Sequence, residues 1–342
     1  MNKVIEKDVL SIVEEPLNWK ELKNKTVLIT GATGMVGQSI VFTLMELNKK
    51  MDINVKILVL CRGRKVAEQL FKEQLDKNVF IIVQDVIEKL KYDNQIDYII
   101  HCASPSHPAY FMEDPVGTID ANTLGTKNTL EVAKEKNSQY CYISTMEIYG
   151  EMNEVTDITE DKFGAIDSLQ LRSSYPLSKK LGENLCLAYK LQYNVDCKIV
   201  RLAHTYGPGM NINDSRVQCE LIREVINNED IVLKSDGTMK RTYTYISDVI
   251  SGIFYIILSG NELVYNVANE EAIISIKELA NTIIKAKANS KSKLVFKLKD
   301  EKGWYKVAPK IMNCSRLKSL GWKPRVDVAE GMKRSIDYFE NE

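Results

Sequence analysis

Residues 30–37 read TGATGMVG, and this stretch decides the fold of the 342-residue chain. It directly follows the apolar run 26–30 and leads into a helix-like segment, residues 38–47. Its three glycines permit a tight turn, a close approach of a pyrophosphate to the backbone and close helix–sheet packing, while the helix N-terminus offers free amides to the anion. The pattern predicts a dinucleotide site, and the alternative is a glycine-rich turn that binds nothing. The residues predicted to hold the cofactor here are Gly31, Thr33, Gly34, Met35, Val36 and Gly37.

Apolar runs of strand length alternate with helix-length segments through the first two hundred residues, which is typical of a parallel sheet covered by helices. The predicted strands are 26–30, 55–60, 79–83, 98–101, 140–144 and 197–202, followed by shorter ones at 231–233 and 263–266. We therefore predict an α/β fold with a doubly wound parallel sheet and a smaller C-terminal α/β domain. The predicted divisions are an N-terminal extension (1–22), a dinucleotide-binding domain (23–200) and a mainly substrate-binding domain (201–342), with crossings of the chain between the two domains allowed.

Composition excludes several classes of protein. The chain has 46 acidic and 46 basic residues, so it carries no basic footprint for nucleic acid. Its longest apolar stretches, such as 55–60 and 253–258, fall far below the roughly 20 residues of a membrane span. The acidic N-terminus lacks the apolar run of a secretory signal. We predict a cytoplasmic protein without membrane insertion.

Cysteine and histidine patterns give no sign of a metal site. The seven cysteines are scattered without a CxxC pair, and most fall inside apolar runs, which indicates small core residues. The three histidines form no cluster. No metal is predicted.

The end of the second predicted strand bears on the choice of cofactor. An acid there usually binds the adenosine ribose of NAD, but residues 60–65 read LCRGRK and contain no carboxylate. Arg62, with Arg64 or Lys65, suits the extra phosphate of NADP. A solvated basic turn is the alternative interpretation. NADP(H) is therefore favoured over NAD(H), and Asp85, after the third strand, is a candidate partner for the adenine amino group.

Tyr175 and Lys179 lie four residues apart in the helix-like segment 174–180, SYPLSKK, and share one helix face. Because a nearby ammonium favours phenolate, we expect Lys179 to lower the pKa of Tyr175, so that Tyr175 exchanges a proton with a carbinol near neutral pH. Thr145, at the end of the fifth predicted strand, is a candidate second hydroxyl for the substrate oxygen. A tyrosine and a lysine at this spacing are common on helix surfaces. Their position in the chain, after the glycine turn and Thr145, favours a catalytic role.

The sequence resembles the extended short-chain dehydrogenases, the nucleotide-sugar epimerase/dehydratase family, over residues 22–340. The segments that carry the resemblance are TGATGMVG, Asp85-Val86, HCAS (101–104), NTLGTKN (122–128), STMEIYG (144–150), YPLSK (175–179), Arg201 with Tyr206-Gly207-Pro208, and RTYTYISDV (241–249). Within the family it is most similar to UDP-glucuronate decarboxylases, through Glu147 and NDSRV (213–217). The resemblance implies a Rossmann domain, a C-terminal sugar-nucleotide domain and a homodimer formed by two helices of each subunit.

The resemblance also implies roles for individual residues. Thr145, Tyr175 and Lys179 would be the catalytic triad, with Lys179 also orienting the nicotinamide ribose and Glu147 assisting. Val86, Ala103 and Ser104 would contact the cofactor. A nucleoside-diphosphate sugar would be held at its diphosphate by Arg216 and Arg241, whose planar guanidinium groups suit phosphate oxygens, and at other positions by Asn122 and His204. A surface ion pair is the alternative for each arginine, and His204, which replaces the family's usual asparagine, bonds the sugar or simply fills the site.

The departures from the family pattern narrow the reaction. Met146-Glu147 replaces the Asp-Glu pair of the 4,6-dehydratases, which disfavours dehydration. The remaining chemistry is hydride transfer at the sugar ring, at C4. Because Arg62 favours NADPH, we favour reduction of a 4-keto, 6-deoxy nucleotide hexose, such as a dTDP-linked one for surface polysaccharide. UDP-glucuronate decarboxylation or 4-epimerisation with recycled NAD is the alternative that Glu147 supports. A non-catalytic NAD(P)-binding regulator is the remote alternative.

Overall fold

Helices and strands alternate through the part of the chain that the computed structural model describes, residues 1–73, 75, 77–152, 157–298 and 311–341. The strands are β1 (Thr26–Thr30), β2 (Lys56–Cys61), β3 (Val79–Val83), β4 (Tyr98–His101), β5 (Gln139–Thr145), β6 (Asp157–Ile158), β7 (Cys197–Leu202), β8 (His204–Tyr206), β9 (Ile231–Leu233), β10 (Lys240–Tyr245), β11 (Val264–Val267), β12 (Ile273–Ser275), β13 (Leu294–Phe296) and β14 (Ile311–Met312). The helices are α1 (Lys3–Val13), α2 (Met35–Met51), α3 (Arg64–Phe71), α4 (Pro108–Glu113), α5 (Pro115–Lys136), α6 (Ser174–Tyr193), α7 (Val217–Ile226), α8 (Ile246–Ser259), α9 (Ile276–Ala286), α10 (Ser315–Ser319) and α11 (Val328–Glu340).

A seven-stranded parallel sheet forms the centre of the molecule and confirms the predicted fold class. Its strand order is β11-β7-β5-β4-β1-β2-β3. From β1 the chain first builds outward through β2 and β3, then returns to the other side of β1 with β4. In sheets of this kind, ligands bind in the crevice at the carboxyl ends of the strands where the order reverses. The predicted strands of this sheet begin and end within one residue of the observed ones.

The sheet is buried on both faces, as the nearly continuous apolar runs predict. Along β1, Leu28 belongs to the apolar core that includes Leu130 of α5, whereas the next residue, Ile29, belongs to the core that includes Val41 of α2. Successive side chains of a strand point to opposite faces. Each face therefore has its own core, one beneath α5 and α6 and the other beneath α2 and α8. None of the helices in the described ranges is long and apolar enough to cross a membrane.

The sheet does not follow the predicted division at residue 200. β11 lies at 264–267, yet it pairs in parallel with β7 at the edge of the main sheet. The rest of the C-terminal part forms small sheets, β12-β10-β8 and β13-β9, while β14 pairs with β6. The chain thus crosses from one part to the other and back, and short strands β6 and β14 tie them together.

The N-terminal segment is an integral part of the fold rather than an extension. Val9 and Ile12 of α1 are buried in the core, and α1 packs against α2, α8 and α11. Asp8 is 4% exposed and accepts hydrogen bonds from Tyr245 Oη at 2.7 Å and from Arg334 Nη1 at 2.7 Å. Both partners belong to the C-terminal part. The helix therefore joins the two parts of the chain, which its charged sequence did not indicate.

We predict that Asp8→Ala lowers the free energy of unfolding by about 2–3 kcal/mol, because it leaves a buried phenol and a largely buried guanidinium without their acceptor. Chemical denaturation of the purified protein measures the change. Glu6→Ala on the same helix is the control, since Glu6 is exposed, and it should change stability by less than about 0.5 kcal/mol. Equal effects of the two variants would contradict the joining role of Asp8.

Candidate active site

A cleft of about 1490 Å³ opens at the carboxyl ends of the central strands, where the strand order reverses. Of the nineteen site residues predicted from the sequence, eighteen line this cleft and Asn122 does not. The lining residues are Gly31, Thr33, Gly34, Met35, Val36, Gly37, Arg62, Asp85, Val86, Ala103, Ser104, Thr145, Glu147, Tyr175, Lys179, His204, Arg216 and Arg241. Within the described ranges, no group of three or more His, Cys, Asp or Glu side chains is placed to hold a metal ion.

The glycine turn is shaped by close backbone contacts. Gly31 has φ +61°, and a Cβ there would lie 2.8 Å from the backbone of Ala103. A Cβ on Gly37 would lie 2.4 Å from the carbonyl oxygen of Gly31. α2 begins directly after Gly34, which has no side chain to cap the free amides of the first turn. Only glycine permits these close contacts, and they leave the backbone amides at the N-terminus of α2 free. Such amides fit the pyrophosphate of a dinucleotide.

A neutral histidine holds the strand end that faces this turn. Thr126 Oγ1 donates its hydrogen to the carbonyl oxygen of Asn122 at 2.7 Å, so it accepts from Nε2 of His101 at 3.3 Å, and the ring proton is on Nε2. Nδ1 therefore accepts from Thr30 Oγ1 at 2.9 Å, and Thr30 Oγ1 accepts the N–H of Ala103 at 3.1 Å. Burial lowers the pKa of His101 to about 3, and the charge of Lys179 adds to this effect. His101 is therefore an uncharged structural link that fixes the backbone at Ala103.

The end of β2 presents one arginine, Arg62, to the cleft. Arg62 lines the cleft, and no hydrogen bond or ion pair to Arg62 is found within the described residues. Arg64 is instead turned to Glu68 at 3.5 Å on the exposed side of α3, and neither Arg64 nor Lys65 lines the cleft. One oxygen of Asp85 accepts the N–H of Ile87 at 3.1 Å. This set fits a nicotinamide dinucleotide, and of the three basic residues predicted here Arg62 is the one that lines the cleft.

Lys179 and Tyr175 are buried on the first turns of α6, as their helical spacing predicts. Lys179 Nζ donates to the carbonyl oxygen of Ile143 at 2.8 Å, and burial lowers the pKa of Lys179 to about 8. Burial raises the pKa of Tyr175, and the charge of Glu147 raises it further. Burial thus outweighs the lowering expected from Lys179, whose ammonium is bound to the β5 backbone. The opposing influences come from Thr145, Arg216 and Arg172.

Thr145 stands on a strand end that is fixed from behind by a buried ionic network. Its Oγ1 accepts the N–H of Glu147 at 3.2 Å. The preceding residue, Ser144, donates to Glu183 at 2.5 Å, and Glu183 forms a buried ion pair with Arg201 at 2.7 Å. Arg201 also donates to Tyr149 Oη at 2.9 Å. A fully bonded network of this kind restricts the strand end to one position, so the hydroxyl of Thr145 is preorganised.

Asn122 is not brought into the cleft. It is fully buried between α5 and α6, and its Nδ2 donates to Ser178 Oγ at 3.0 Å. Ser178 Oγ in turn donates to the carbonyl oxygen of Ser174 at 2.5 Å. Asn122 therefore links α5 to the helix that carries Tyr175, and the structure offers no contact through which it would touch a substrate in the cleft.

Arg216 is held by a carboxylate that the sequence analysis did not single out. Asp214 is 2% exposed and accepts Arg216 Nε at 2.7 Å. His107, across the cleft, lies 3.3 Å from the other oxygen of Asp214. His107 Nδ1 accepts the N–H of Ala109 at 3.0 Å, and His107 Nε2 lies 3.2 Å from the backbone nitrogen of Ser215 as well as beside Asp214. The loop at 211–216 is thus tied to the start of α4 on the opposite wall.

The remaining predicted substrate residues stand on β8 and β10. His204 packs against the ring of Tyr243, with 5.9 Å between ring centroids. Arg241 Nη2 lies 4.0 Å from the sulfur of Met239. No ion pair engages Arg241 within the described residues, so its positive charge is available to an anion in the cleft.

Glu147 is paired with an arginine that sequence reasoning missed. Arg172 Nη1 donates to Glu147 Oε2 at 2.8 Å and Arg172 Nη2 donates to Oε1 at 3.3 Å. Arg172 lies three residues before Tyr175, in a stretch that shows no apolar period, and this proximity is the only signal in the sequence. Within the cleft, Glu147 is therefore a carboxylate paired with Arg172 beside Tyr175.

Comparison with known proteins identifies the class. The model of the NAD dependent epimerase/dehydratase family matches residues 27–268, and the chain belongs to this family. It is 31% identical over 322 residues to UDP-glucuronic acid decarboxylase 1 of Danio rerio, covering 94% of this chain and 74% of the relative. It is 30% identical over 319 residues to UDP-glucuronic acid decarboxylase 6 of Arabidopsis thaliana, covering 90% and 87%. The predicted nicotinamide-dependent nucleotide-sugar chemistry is confirmed at this level.

Solved structures show the same fold. UDP-glucose 4-epimerase of Thermotoga maritima, solved with UDP-glucose, has a TM-score of 0.78 at 21% identity, covering 92% of this chain and 99% of that one. UDP-glucuronic acid 4-epimerase of Bacillus cereus, solved with UDP-glucuronic acid and NAD, has a TM-score of 0.74 at 22% identity with the same coverage. At this identity the similarity establishes the architecture and not the reaction.

We predict that Arg62→Ala weakens NADPH binding about tenfold or more and leaves NADH binding nearly unchanged, because the guanidinium would contact only the phosphate that distinguishes the two cofactors. Calorimetric titration of both reduced cofactors measures the ratio. Arg64→Ala is the matched control, since Arg64 is paired with Glu68 outside the cleft. A wild-type protein that binds both cofactors equally would show that Arg62 has no part in cofactor choice.

Proposed function

We propose that this enzyme is an NAD(P)-dependent UDP-glucuronate decarboxylase that returns the hydride it removes. The observation that carries the proposal is the Glu147 carboxylate, held on the cleft wall two residues after Thr145 by Arg172. The relatives that match over 90% or more of the chain at about 30% identity bear that name, which supports it. A simple reduction needs no carboxylate beside Tyr175 and Thr145.

The residues of the cleft account for each proton. Tyr175 accepts the proton of the C4 hydroxyl while Thr145 holds its oxygen, and the charges of Arg172 and Arg216 favour the phenolate. Lys179 orients the nicotinamide ribose. A bound nicotinamide cofactor supplies the acceptor, and then the donor, of the C4 hydride. With C4 oxidised, the carboxylate on C5 is β to a ketone, so the C5–carboxylate bond breaks, carbon dioxide leaves and its electron pair passes to the C4 oxygen as an enolate. Tyr175 then stabilises this oxygen, and Glu147 positions a water that relays a proton from solvent to C5. When the hydride returns to C4, Tyr175 gives its proton back to the C4 oxygen.

Substrate binding follows from the distribution of charge. Arg241 has no carboxylate partner within the described residues, and Arg216 is oriented by Asp214 on the wall of the same cleft. Guanidinium groups make paired, charge-assisted bonds to phosphate oxygens. We assign Arg216 and Arg241 to the diphosphate and His204 to the sugar. The cytoplasmic location stays a prediction of the sequence.

Reduction of a 4-keto nucleotide hexose is the second candidate, and Arg62 is the observation that favours it. A net reduction consumes its cofactor and suits NADPH, whereas a decarboxylase can use the same bound cofactor repeatedly. The positions of Thr145, Tyr175 and Lys179 together in the cleft make the non-catalytic regulator the weakest alternative.

We predict that UDP-glucuronate releases carbon dioxide without a net change in cofactor absorbance. Mass spectrometry of the sugar product and absorbance of the reduced cofactor measure this together. Tyr175→Phe should reduce turnover at least a hundredfold with nearly unchanged cofactor binding, since it removes the proton-transfer group and keeps the ring. Glu147→Gln should reduce turnover by a similar order.

The control for these variants is Glu135→Gln, which changes an exposed carboxylate of α5 outside the cleft and should keep full turnover. The same panel contains 4-keto-6-deoxy hexoses linked to dTDP. Consumption of one NADPH per reduced hexose, with UDP-glucuronate untouched, would replace the proposal with the second candidate.

We further propose a homodimer formed through α5 and α6. α6 leaves Leu181, Ala188 and Leu191 exposed along one face, at positions i, i+7 and i+10, and the adjacent α5 exposes Val116. Exposed apolar faces on two neighbouring helices are typical of subunit interfaces.

We predict a dimeric mass for the wild-type protein in sedimentation equilibrium and a monomeric mass for Leu181→Glu/Leu191→Glu, because buried charges would oppose the contact. Leu169→Glu is the control, since Leu169 is 94% exposed and lies outside both helices. A monomeric wild-type protein would refute the interface.

A further inference from the structure

A chain of four side chains connects the Glu147 carboxylate to the catalytic tyrosine without passing through the backbone. Arg172 binds both oxygens of Glu147, at 2.8 and 3.3 Å. The same guanidinium lies over the ring of Phe111, 5.6 Å from its centroid. Phe111 is 1% exposed and stacks on Tyr175 with 5.1 Å between centroids and 12° between planes. The four groups come from three separate segments of the chain.

This arrangement differs from an ordinary surface ion pair. A paired contact to both carboxylate oxygens fixes the direction of the carboxylate, which a single lysine contact does not. The guanidinium is further restrained on its face by the buried ring of Phe111. Both charged partners line the cleft, although Arg172 remains about half exposed. The two residues are 25 positions apart, so local helix geometry does not bring them together.

We propose that Arg172 is a positioning residue for catalysis: it orients the Glu147 carboxylate at the sugar end of the cleft and neutralises its charge beside Tyr175. The inference rests on the proposed function only in taking Tyr175 as the proton-transfer group. It adds a residue to which neither the motifs nor the family pattern assigned a role.

The electrostatic consequence follows from the groups that face Tyr175. The charge of Glu147 raises the pKa of this phenol, whereas the charges of Arg172 and Arg216 and the hydrogen bond from Thr145 lower it. Lys179, on the same helix, is turned to the β5 backbone. Removing Arg172 leaves an unpaired carboxylate beside the phenol, which disfavours phenolate.

The test is a titration of Tyr175 in the complex with NAD⁺, which requires no substrate. Ultraviolet absorbance reports tyrosinate, and subtracting the titration of the corresponding Tyr175→Phe protein isolates the signal of Tyr175. We expect Arg172→Gln to raise the midpoint by roughly one pH unit, which is about a tenfold loss of phenolate at a given pH. Glu147→Gln should lower it, and the double variant should return close to the wild-type midpoint. Arg172→Lys, which keeps the charge but not the paired contact, should fall between wild type and Arg172→Gln.

Arg64→Gln is the matched control, because it breaks another arginine–glutamate pair outside the cleft and should leave the midpoint unchanged. Thermal unfolding of each complex shows that the variants are folded. An Arg172→Gln midpoint equal to that of wild type, or a double variant that titrates like Arg172→Gln alone, would overturn the inference. Since this result does not depend on which sugar is turned over, it is separate from any failure of the decarboxylase assay.

Discussion

The contact between the turn at Gly31 and the backbone of Ala103 sets the geometry of the whole site. These two segments follow β1 and β4, the neighbouring strands between which the sheet reverses its order. A Cβ on Gly31 would lie 2.8 Å from Ala103, so only glycine lets the two strand ends approach. The approach leaves α2 with its free amides directed at the crevice, and the neutral His101 keeps Ala103 in place through Thr30. The other strand ends of the sheet then place their side chains around the same opening.

Several charged side chains in and behind the cleft form ion pairs, and these pairs have different structural roles. Glu183 and Arg201 are buried together behind Thr145, where removing either would leave an uncompensated charge in the core. Asp214 orients Arg216 toward the cleft, and His107 connects this pair to the opposite wall. Arg241 has no carboxylate partner within the described residues. The cleft therefore keeps some of its positive charge for an anionic ligand, while Glu147 and Asp214 are already engaged by arginines.

Helix α6 shows how burial outweighs sequence proximity in setting the pKa values of Tyr175 and Lys179. Tyr175 and Lys179 share a helix face, and in water such a pair would favour phenolate. In the folded protein, desolvation has the largest influence on both groups, raising the pKa of Tyr175 and lowering that of Lys179 to about 8. Because Lys179 Nζ is bound to Ile143, charges from other segments, Glu147 and Arg172 among them, tune the phenol instead.

The sequence by itself determined the parallel α/β fold, the strands of its central sheet to within a residue, and a set of site residues of which all but Asn122 line the cleft, because glycine turns, apolar runs and helical spacing are local signals. Asn122 fell outside the cleft because only the packing of α5 on α6 decides which way its side chain points. The role of α1 was hidden since Asp8 meets Tyr245 and Arg334 across more than two hundred residues. Arg172 was missed because its partner Glu147 lies on another segment, 25 positions away. Asp214 lies only two positions from Arg216, but its burial and its approach to His107 depend on the fold. Contacts between distant segments depend on how the chain crosses the sheet, and the tertiary structure alone decided them.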